Sequence, residues 1–447
     1  MKKVITYGTF DLLHHGHIRL LERAKALGDY LIVGVTADDF DKNRGKINVQ
    51  QSLGERIGAV RAIGIADEII VEEYEGQKID DIRSYNVDIF TVGSDWVGKF
   101  DYLKEYCNVI YLSRTEGISS SEIREVKRTI MLGLVGTSQY INRFISESTY
   151  VNGIKLSGLC ATDLSEISEQ GQSLPLVTDN YQRLLEVSDA VYIHSHPSLH
   201  YNQIKEALIQ KKHVLCESPI ALKKKQCIEL YSLARKHNCI LTEALRTAYA
   251  TAYYRLLLLV KGGKIGKVIS VDATCTSLRI PEKSTESQLK NTWNSITAWG
   301  PTALLPVFQI LGTGYLDYNI VSHFFDESAN FDVFTKIAFI YPNAVASIKV
   351  GTGVKSEGEL IISGTKGYIY VPAPWWKTDY FEIRYENPAD NKRYFYQLDG
   401  EGIRYELASF LKTIEKWKEN FYITETVSVE ISSIMEAFEA HKNMVLI

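Results

Sequence analysis

The chain has 447 residues, 45% of them hydrophobic and 23% charged, with a net charge of −4. Those values describe an ordinary globular protein of two or three domains, and without a long basic run they exclude a general electrostatic surface for nucleic acid. Six cysteines (Cys107, Cys160, Cys216, Cys227, Cys239, Cys275) show no Cys-x-x-Cys spacing, which argues against a zinc site or a disulfide framework and predicts reduced thiols in the cytoplasm.

Met1-Lys2-Lys3 leads directly into an apolar run at residues 4–7, too short for a signal peptide or a membrane span. That run predicts a strand, Gly8-Thr9-Phe10-Asp11 a tight turn, and the spacing of Ile18, Leu20, Leu21, Ala24 and Leu27 a helix. At such a junction the free N–H groups of the helix start face the space above the strand end, which attracts phosphate. His14 and His17 share one face of the first turn, and Gly16 lets a ligand approach the backbone closely. Further strands are expected at residues 30–36, 68–71, 89–92 and 109–112, with a helix from about residue 54. The alternation implies a parallel sheet with its ligand at the strands' carboxyl ends. Lys42, Arg44 and Lys46 follow the second strand; beside a triphosphate, Arg44 and Lys46 are candidate clamps.

Thr9-Phe10-Asp11-x-x-His14-x-Gly16-His17 resembles the His-x-Gly-His signature of nucleotidyltransferases. Arg114-Thr115-Glu116-Gly117-Ile118-Ser119-Ser120-Ser121 resembles the Arg-Thr-x-Gly-x-Ser-Thr-Thr segment of cytidylyltransferases, with serines keeping the hydroxyls of the two usual threonines. Gly93-Ser94-Asp95-Trp96-x-Gly98-Lys99-Phe100-Asp101 fits between them. Over residues 1–128 the chain thus resembles the glycerol-3-phosphate cytidylyltransferase family. The resemblance implies attack of a polyol phosphate oxygen on the α-phosphorus of CTP, with pyrophosphate leaving and Mg²⁺ accompanying the nucleotide. It implies that His14, His17, Arg114 and Lys46 are catalytic. Thr9, Phe10, Asp11, Gly16, Arg44, Asp95, Thr115, Ser119 and Ser120 would bind CTP, with Asp11 also orienting the metal. Arg56 and Trp96 would hold the phosphoalcohol; the competing reading of Arg56 is an exposed helix charge. An adenylyltransferase of the same superfamily is the alternative.

A new unit begins near residue 129. Residues 130–135 read as a buried strand entering a dinucleotide turn at Gly136, with Ser138 where the second glycine would stand. The blocks Ile193-His194-Ser195-His196-Pro197-Ser198-Leu199-His200 and Val214-Leu215-Cys216-Glu217-Ser218-Pro219 resemble the Gfo/Idh/MocA oxidoreductases, a likeness that extends over residues 130–447. It implies a dinucleotide-binding Rossmann domain at 129–246 and an α+β domain at 247–447, the latter with a large, open, mostly antiparallel sheet and few helices. NAD(P) would meet Gly136, Ser138, Gln139, Tyr140, Asp163, Ser195, His196, Glu217 and Ser218. Asp163, placed to bind an adenosine ribose, would favour NAD.

The family's usual lysine is Ser218 here, and its usual acid and histidine fall at Pro306 and Ile310. Hydride transfer to a carbonyl needs a proton donor, for which His194, His196, His200 and Lys223–Lys225 are weak substitutes. Trp375, Trp376 and Tyr380 read as core or interface. The expectation is an α/β chain of three domains at 1–128, 129–246 and 247–447. It would be a cytidylyltransferase for surface-polymer precursors, either bifunctional with NAD(P)-dependent sugar-phosphate reduction or carrying an inactive scaffold, and a homodimer without membrane or nucleic-acid partners.

Overall fold

The structure is a computed structural model. It describes residues 2–13, 15–37, 49, 51, 53–73, 76–113, 129–136, 139–162, 167–279, 289, 292–396, 398, 400–416 and 422–447. The chain separates into two compact units, Met1–Thr129 and Ile130–Ile447.

Unit 1 runs β1 (Lys3–Gly8), α1 (His15–Lys25), β2 (Tyr30–Thr36), α2 (Leu53–Ile63), β3 (Glu68–Glu72), α3 (Gln77–Tyr85), β4 (Ile89–Gly93) and β5 (Asn108–Leu112). The strands form a five-stranded parallel sheet in the order β3-β2-β1-β4-β5. Their sequences are nearly continuous apolar runs because helices cover both faces. Val4, Leu31, Val33, Val35 and Ile89 pack one way, against Leu21, Ala24 and Val60. Ile5, Tyr7, Ile32, Phe90 and Val92 pack the other way, against Ile82, Phe100 and Leu103. Gly34 makes room for Tyr7, whose ring would overlap any Cβ at that position. Tyr7 in turn hydrogen-bonds Asp81 at 2.7 Å and lies under the Lys78 ammonium, which forms a buried ion pair with Glu72.

Unit 2 opens with a six-stranded parallel sheet ordered β11-β10-β9-β6-β7-β8. Its strands are β6 (Ile130–Val135), β7 (Ile154–Cys160), β8 (Val177–Thr178), β9 (Ala190–Ile193), β10 (His213–Glu217) and β11 (Leu241–Ala244). The main helices around it are α4 (Gln139–Ser148), α5 (Pro197–Ile209) and α6 (Lys224–Lys236).

A second sheet follows, of ten strands: β12 (Val268–Leu278), β13 (Asp317–Asp326), β14 (Phe331–Ile340), β15 (Val345–Gly351), β16 (Gly353–Val354), β17 (Leu360–Gly364), β18 (Tyr368–Val371), β19 (Tyr380–Arg384), β20 (Lys392–Phe395) and β21 (Met444–Leu446). It is mixed: β12–β15 and β13–β21 pair in parallel and the remaining pairs are antiparallel. This part holds more helix than its sequence pattern suggests, with α7 (Thr251–Lys261), α8 (Ser295–Leu311), α9 (Ile403–Lys416) and α10 (Glu425–Glu439). Helix α8 packs on β12, β14 and β15. That face of the sheet buries Val271, Ala273, Ile337, Phe339, Ile348 and Val350. Tyr231 of α6 hydrogen-bonds Ser428 of α10 at 3.0 Å, and Lys224 of α6 pairs with Glu430 of α10 at 3.3 Å, tying the two sheets' layers together.

Gly34→Ala tests the two-faced core of unit 1. The added methyl has to displace the Tyr7 ring, which costs about 1–3 kcal/mol and should appear as a lower urea midpoint with an unchanged slope.

Candidate functional site

Both parallel sheets contain a point where strand order reverses, and there the strand ends splay into a ligand crevice. In unit 1 it lies between β1 and β4. The loop that leaves β1 is strained there: Phe10 and Leu12 have φ of 53° and 48°, a left-handed conformation costly for any residue with a Cβ.

Three contacts hold that loop. The Phe10 ring is buried in the core and meets the His17 ring edge-on, centroids 5.6 Å apart. The Gln51 N–H donates to Asp11 Oδ1 at 2.9 Å, and the Leu12 N–H donates back to Gln51 Oε1 at 2.8 Å. Arg56, wholly buried on α2, donates from Nη1 to the carbonyls of Thr9 (2.6 Å) and Thr36 (2.9 Å), and from Nε to that of Gln51 (3.2 Å). Arg56 is therefore not the exposed helix charge of the competing reading. Two of its donor groups hold the ends of β1 and β2 and the residue-51 turn. Asp11 likewise is buried and spends Oδ1 on the backbone.

His17 and Gly16 lie in the first turn of α1, Gly16 and the His17 ring half-buried. Across the switch point, the short helix Ser94–Trp96 follows β4 directly, so Asp95 starts from the opposite wall. Trp96 packs on Phe100 (5.8 Å) beneath the Lys99 ammonium (5.6 Å from its ring). Thr9, Phe10, Asp11, Gly16, His17, Arg56, Asp95 and Trp96 thus belong to segments around one crevice. His14, Arg44, Lys46, Arg114, Thr115, Ser119 and Ser120 lie outside the described residues. Among the described residues no group of three or more His, Cys, Asp or Glu side chains is placed to hold a metal ion. Gln51 is the participant that sequence reasoning missed; a lone glutamine in a loop carries no signal.

In unit 2 the reversal lies between β6 and β9. Gly136, after β6, has φ 122°, and a Cβ there would strike the His194 carbonyl. This turn fits the first glycine of a dinucleotide fingerprint. Its third position is Ile141, buried under α4 where a small residue would allow closer helix–strand packing. Ser138 and Asp163 lie outside the described residues, as does the side chain of Gln139.

Aromatic rings line the crest. Tyr140 stacks on His194 at 4.7 Å, the Arg246 guanidinium lies 4.6 Å from the Tyr140 ring, and Trp293 is 5.9 Å from His194. The Tyr192 hydroxyl donates to Glu217 at 2.6 Å. The Ser218 hydroxyl is buried and donates to Glu243, so it faces β11. Ser195 bonds Gln203 at 2.5 Å, and His196 caps α5. His200 is buried with its ring nitrogens 2.8 Å from the carbonyls of Pro219 and Ser195, a staple between two loops. Burial lowers the pKa of His194 and His196, keeping both neutral near pH 7. Lys223 and Lys225 are exposed, and Lys224 faces Glu430.

Pro306 is buried in the middle of α8. The absence of donors no longer depends on register, because Ser295–Leu311 contains no titratable side chain at all. Trp375 is core, its indole donating to the Thr274 carbonyl at 3.0 Å, and Trp376 packs on Trp299.

Comparisons with known proteins divide the chain at the same place. Residues 5–126 match the model of the cytidylyltransferase-like family. Residues 130–245 match the oxidoreductase family with an NAD-binding Rossmann fold. Glycerol-3-phosphate cytidylyltransferase of Bacillus spizizenii is 54% identical over 125 residues, 28% of this chain and 96% of that protein. The Staphylococcus aureus enzyme of that name is 49% identical over 125 residues, 28% of this chain and 94% of that protein. Among solved structures, a 3-ketoreductase from Actinomadura kijaniata in complex with NADP and TDP-benzene superposes with a TM-score of 0.63 at 15% identity, covering 72% of this chain and all (100%) of that one. An aldose-aldose oxidoreductase from Caulobacter crescentus complexed with glycerol gives 0.62 at 16% identity, covering 70% of this chain and 98% of that one. At that identity the likeness is one of fold.

Replacing Arg56 by methionine leaves the Thr9, Thr36 and Gln51 carbonyls short of a donor. The expected cost is about 3 kcal/mol of unit 1 stability, measured by urea denaturation, whereas Arg61→Met on the exposed face of the same helix should change little.

Proposed function

Over its first unit the chain belongs to the glycerol-3-phosphate cytidylyltransferase family, and we propose that it couples CTP to glycerol 3-phosphate or a similar polyol phosphate. The observation that carries this is the 54% identity over 125 residues, nearly the whole length of the relative, together with the strained β1–α1 loop at the sheet's switch point. In this reading a phosphate oxygen of the acceptor attacks the α-phosphorus and pyrophosphate leaves. The protein mainly positions the reactants and neutralises charge. His14 and His17 stabilise charge on the reacting phosphates. Arg44, Lys46 and Arg114 clamp the triphosphate, with Thr115, Ser119 and Ser120 at a helix start. Thr9, Phe10, Gly16 and Asp95 hold the nucleotide, and Trp96 bounds the acceptor. Arg56 and Asp11 act through the loop they fix; Mg²⁺ arrives with CTP, and Asp11 is the residue nearest to a metal role.

The second unit has an oxidoreductase-family fold. Gly136, Ser138, Gln139, Tyr140, Ser195, His196, Glu217 and Ser218 are the residues that would hold a dinucleotide, with Asp163 at its ribose; Ser218 would do so only through its backbone, since its hydroxyl is committed to Glu243. Bound there, NAD(P)H would supply a hydride. Tyr140 and His194 are proton-bearing groups at the crest, so a reductase working here uses one of these in place of the family's lysine and histidine. The uncharged α8 favours a second reading, in which this unit is a catalytically inactive scaffold or sensor. A homodimer fits the open face of the ten-stranded sheet, where Ile340 and Val345 are 52% and 50% exposed. No helix among the described residues is long and apolar enough to cross a membrane. We place the protein in the cytoplasm, supplying activated alcohols for teichoic acid or capsule synthesis, with no nucleic-acid partner.

Purified protein given CTP and glycerol 3-phosphate should release pyrophosphate, and ATP should replace CTP poorly; a preference for ATP would overturn the assignment. His17→Ala should reduce the rate about 10²–10³-fold, as for the loss of one charge-stabilising donor. Titration with NADH and NADPH, followed by nicotinamide fluorescence with and without CTP, separates the two readings of unit 2. Saturable binding with turnover of a sugar phosphate selects the bifunctional enzyme, and absence of binding selects the scaffold.

A further inference from the structure

At the crest of unit 2, three cations from three segments converge on a single carboxylate. Arg143 comes from α4, Arg246 from the residues just after β11, and Lys377 from the turn that follows Trp375-Trp376. Glu401 Oε1 lies 3.3 Å from Arg143 Nη1; Oε2 lies 3.2 Å from Arg246 Nη1 and also takes the Lys377 ammonium. Despite desolvation, these cations hold the Glu401 pKa below the ordinary value. Three positive groups against one negative leave an excess of two charges.

The surrounding acids reduce that excess without cancelling it. Glu147 is engaged by the Glu401 and Arg404 N–H groups and by the Arg404 guanidinium. Glu406 is fully buried with neither carboxylate oxygen hydrogen-bonded, and burial pushes its pKa well above the ordinary value, which disfavours its charged form. Glu217, the remaining carboxylate nearby, accepts from the Tyr192 hydroxyl and acts on Arg246, so it offsets part of the positive charge.

The cluster is accessible: the side chains of Arg143, Lys377 and Arg246 are 52%, 33% and 28% exposed. It is also positioned. Arg246 lies against the Tyr140 ring, which stacks on His194, so the charges stand at the strand ends beside the β6/β9 switch point. Glu401 is presented on a tight loop, flanked by Gly400 and Gly402 with φ of 61° and 83°, which glycine adopts freely; a Cβ at Gly400 would collide with Glu147. An ion-pair network serving stability alone would balance its charges. This one keeps a net positive charge, and guanidinium groups match phosphate oxygens in pairs.

We propose that Arg143, Arg246 and Lys377 form a binding site for the phosphate monoester of a small polyol or of its carbonyl form, with Glu401 holding the cations in place until the phosphate displaces it. This rests on the reading of unit 2 as a domain that takes a phosphorylated substrate. It gives both units ligands of one class, since unit 1 is proposed to consume a polyol phosphate.

The test is hydrogen–deuterium exchange of the full chain, read by mass spectrometry, with millimolar dihydroxyacetone phosphate as probe and inorganic pyrophosphate as a second arm. The monoester should protect peptides spanning α4 and the start of α9. Lys377→Ala should weaken that protection about tenfold, the loss of one charge-assisted contact. Glu401→Gln should strengthen it, because a competing carboxylate is gone. No protection in the wild type overturns the site. So does Glu401→Gln weakening it as Lys377→Ala does, which is the behaviour of a purely structural network or of misfolding. Protection by pyrophosphate but not by the monoester overturns the assignment of ligand. Pyrophosphate release from CTP, measured on the same wild-type preparation, reports on unit 1 separately, so failure there and failure here are distinguishable.

Discussion

A guanidinium sealed inside unit 1 determines what its crevice can be. Arg56 has no solvent to hydrate it, and a buried charge is tolerable only when its donors are satisfied. It meets that condition with main-chain carbonyls from the ends of β1 and β2 and from the residue-51 turn. Three segments far apart in sequence become one rigid rim. The left-handed Phe10 and Leu12 persist because the rim over-determines them: the Phe10 ring in the core, Asp11 and Gln51 clasped to each other's loop, Arg56 beneath. Strain held in this way keeps the first turn of α1, with His17, at a defined distance from β4.

Unit 2 uses the same topological device with different contents. Gly136 is required by the His194 carbonyl, as a dinucleotide turn would demand, yet the fingerprint is completed by Ile141, a bulky residue packed where closeness is usual. The crest is assembled from aromatic rings and cations in place of the family's lysine, acid and histidine. Fold and chemistry are inherited separately, so the shared fold of this unit does not by itself fix its reacting groups.

Much of this was legible in the residues. The three central strands of unit 1 stand out because each is buried on both faces, so apolar runs at 4–7, 30–36 and 89–92 leave little choice. The middle of the ten-stranded sheet was legible too, since β12, β14, β15, β17 and β18 alternate inward apolar with outward polar positions. Helix α3 escaped because Gln77–Tyr85 is mostly polar and presents few apolar positions to the core. The edge strands β20 and β21, and β19 next to β20, escaped because pairing, not pattern, makes them strands. Arg56 was less legible: its place on the helix allows either an arginine that reaches phosphate or an exposed charge, and only the fold reveals that carbonyls surround it.

Helix α8 is notable for what it lacks. Seventeen residues pass beside the crest of unit 2 without a group that can gain or lose a proton. Its macrodipole and the dipoles of its uncharged side chains are therefore a constant background, the same in acid as in base. Against such a fixed wall, any change in ligand affinity or rate with pH has to originate in the few titratable side chains opposite. The unit thus comes with its own electrostatic reference, and a titration of it would be simpler to assign than the crowding of charges at the crest suggests.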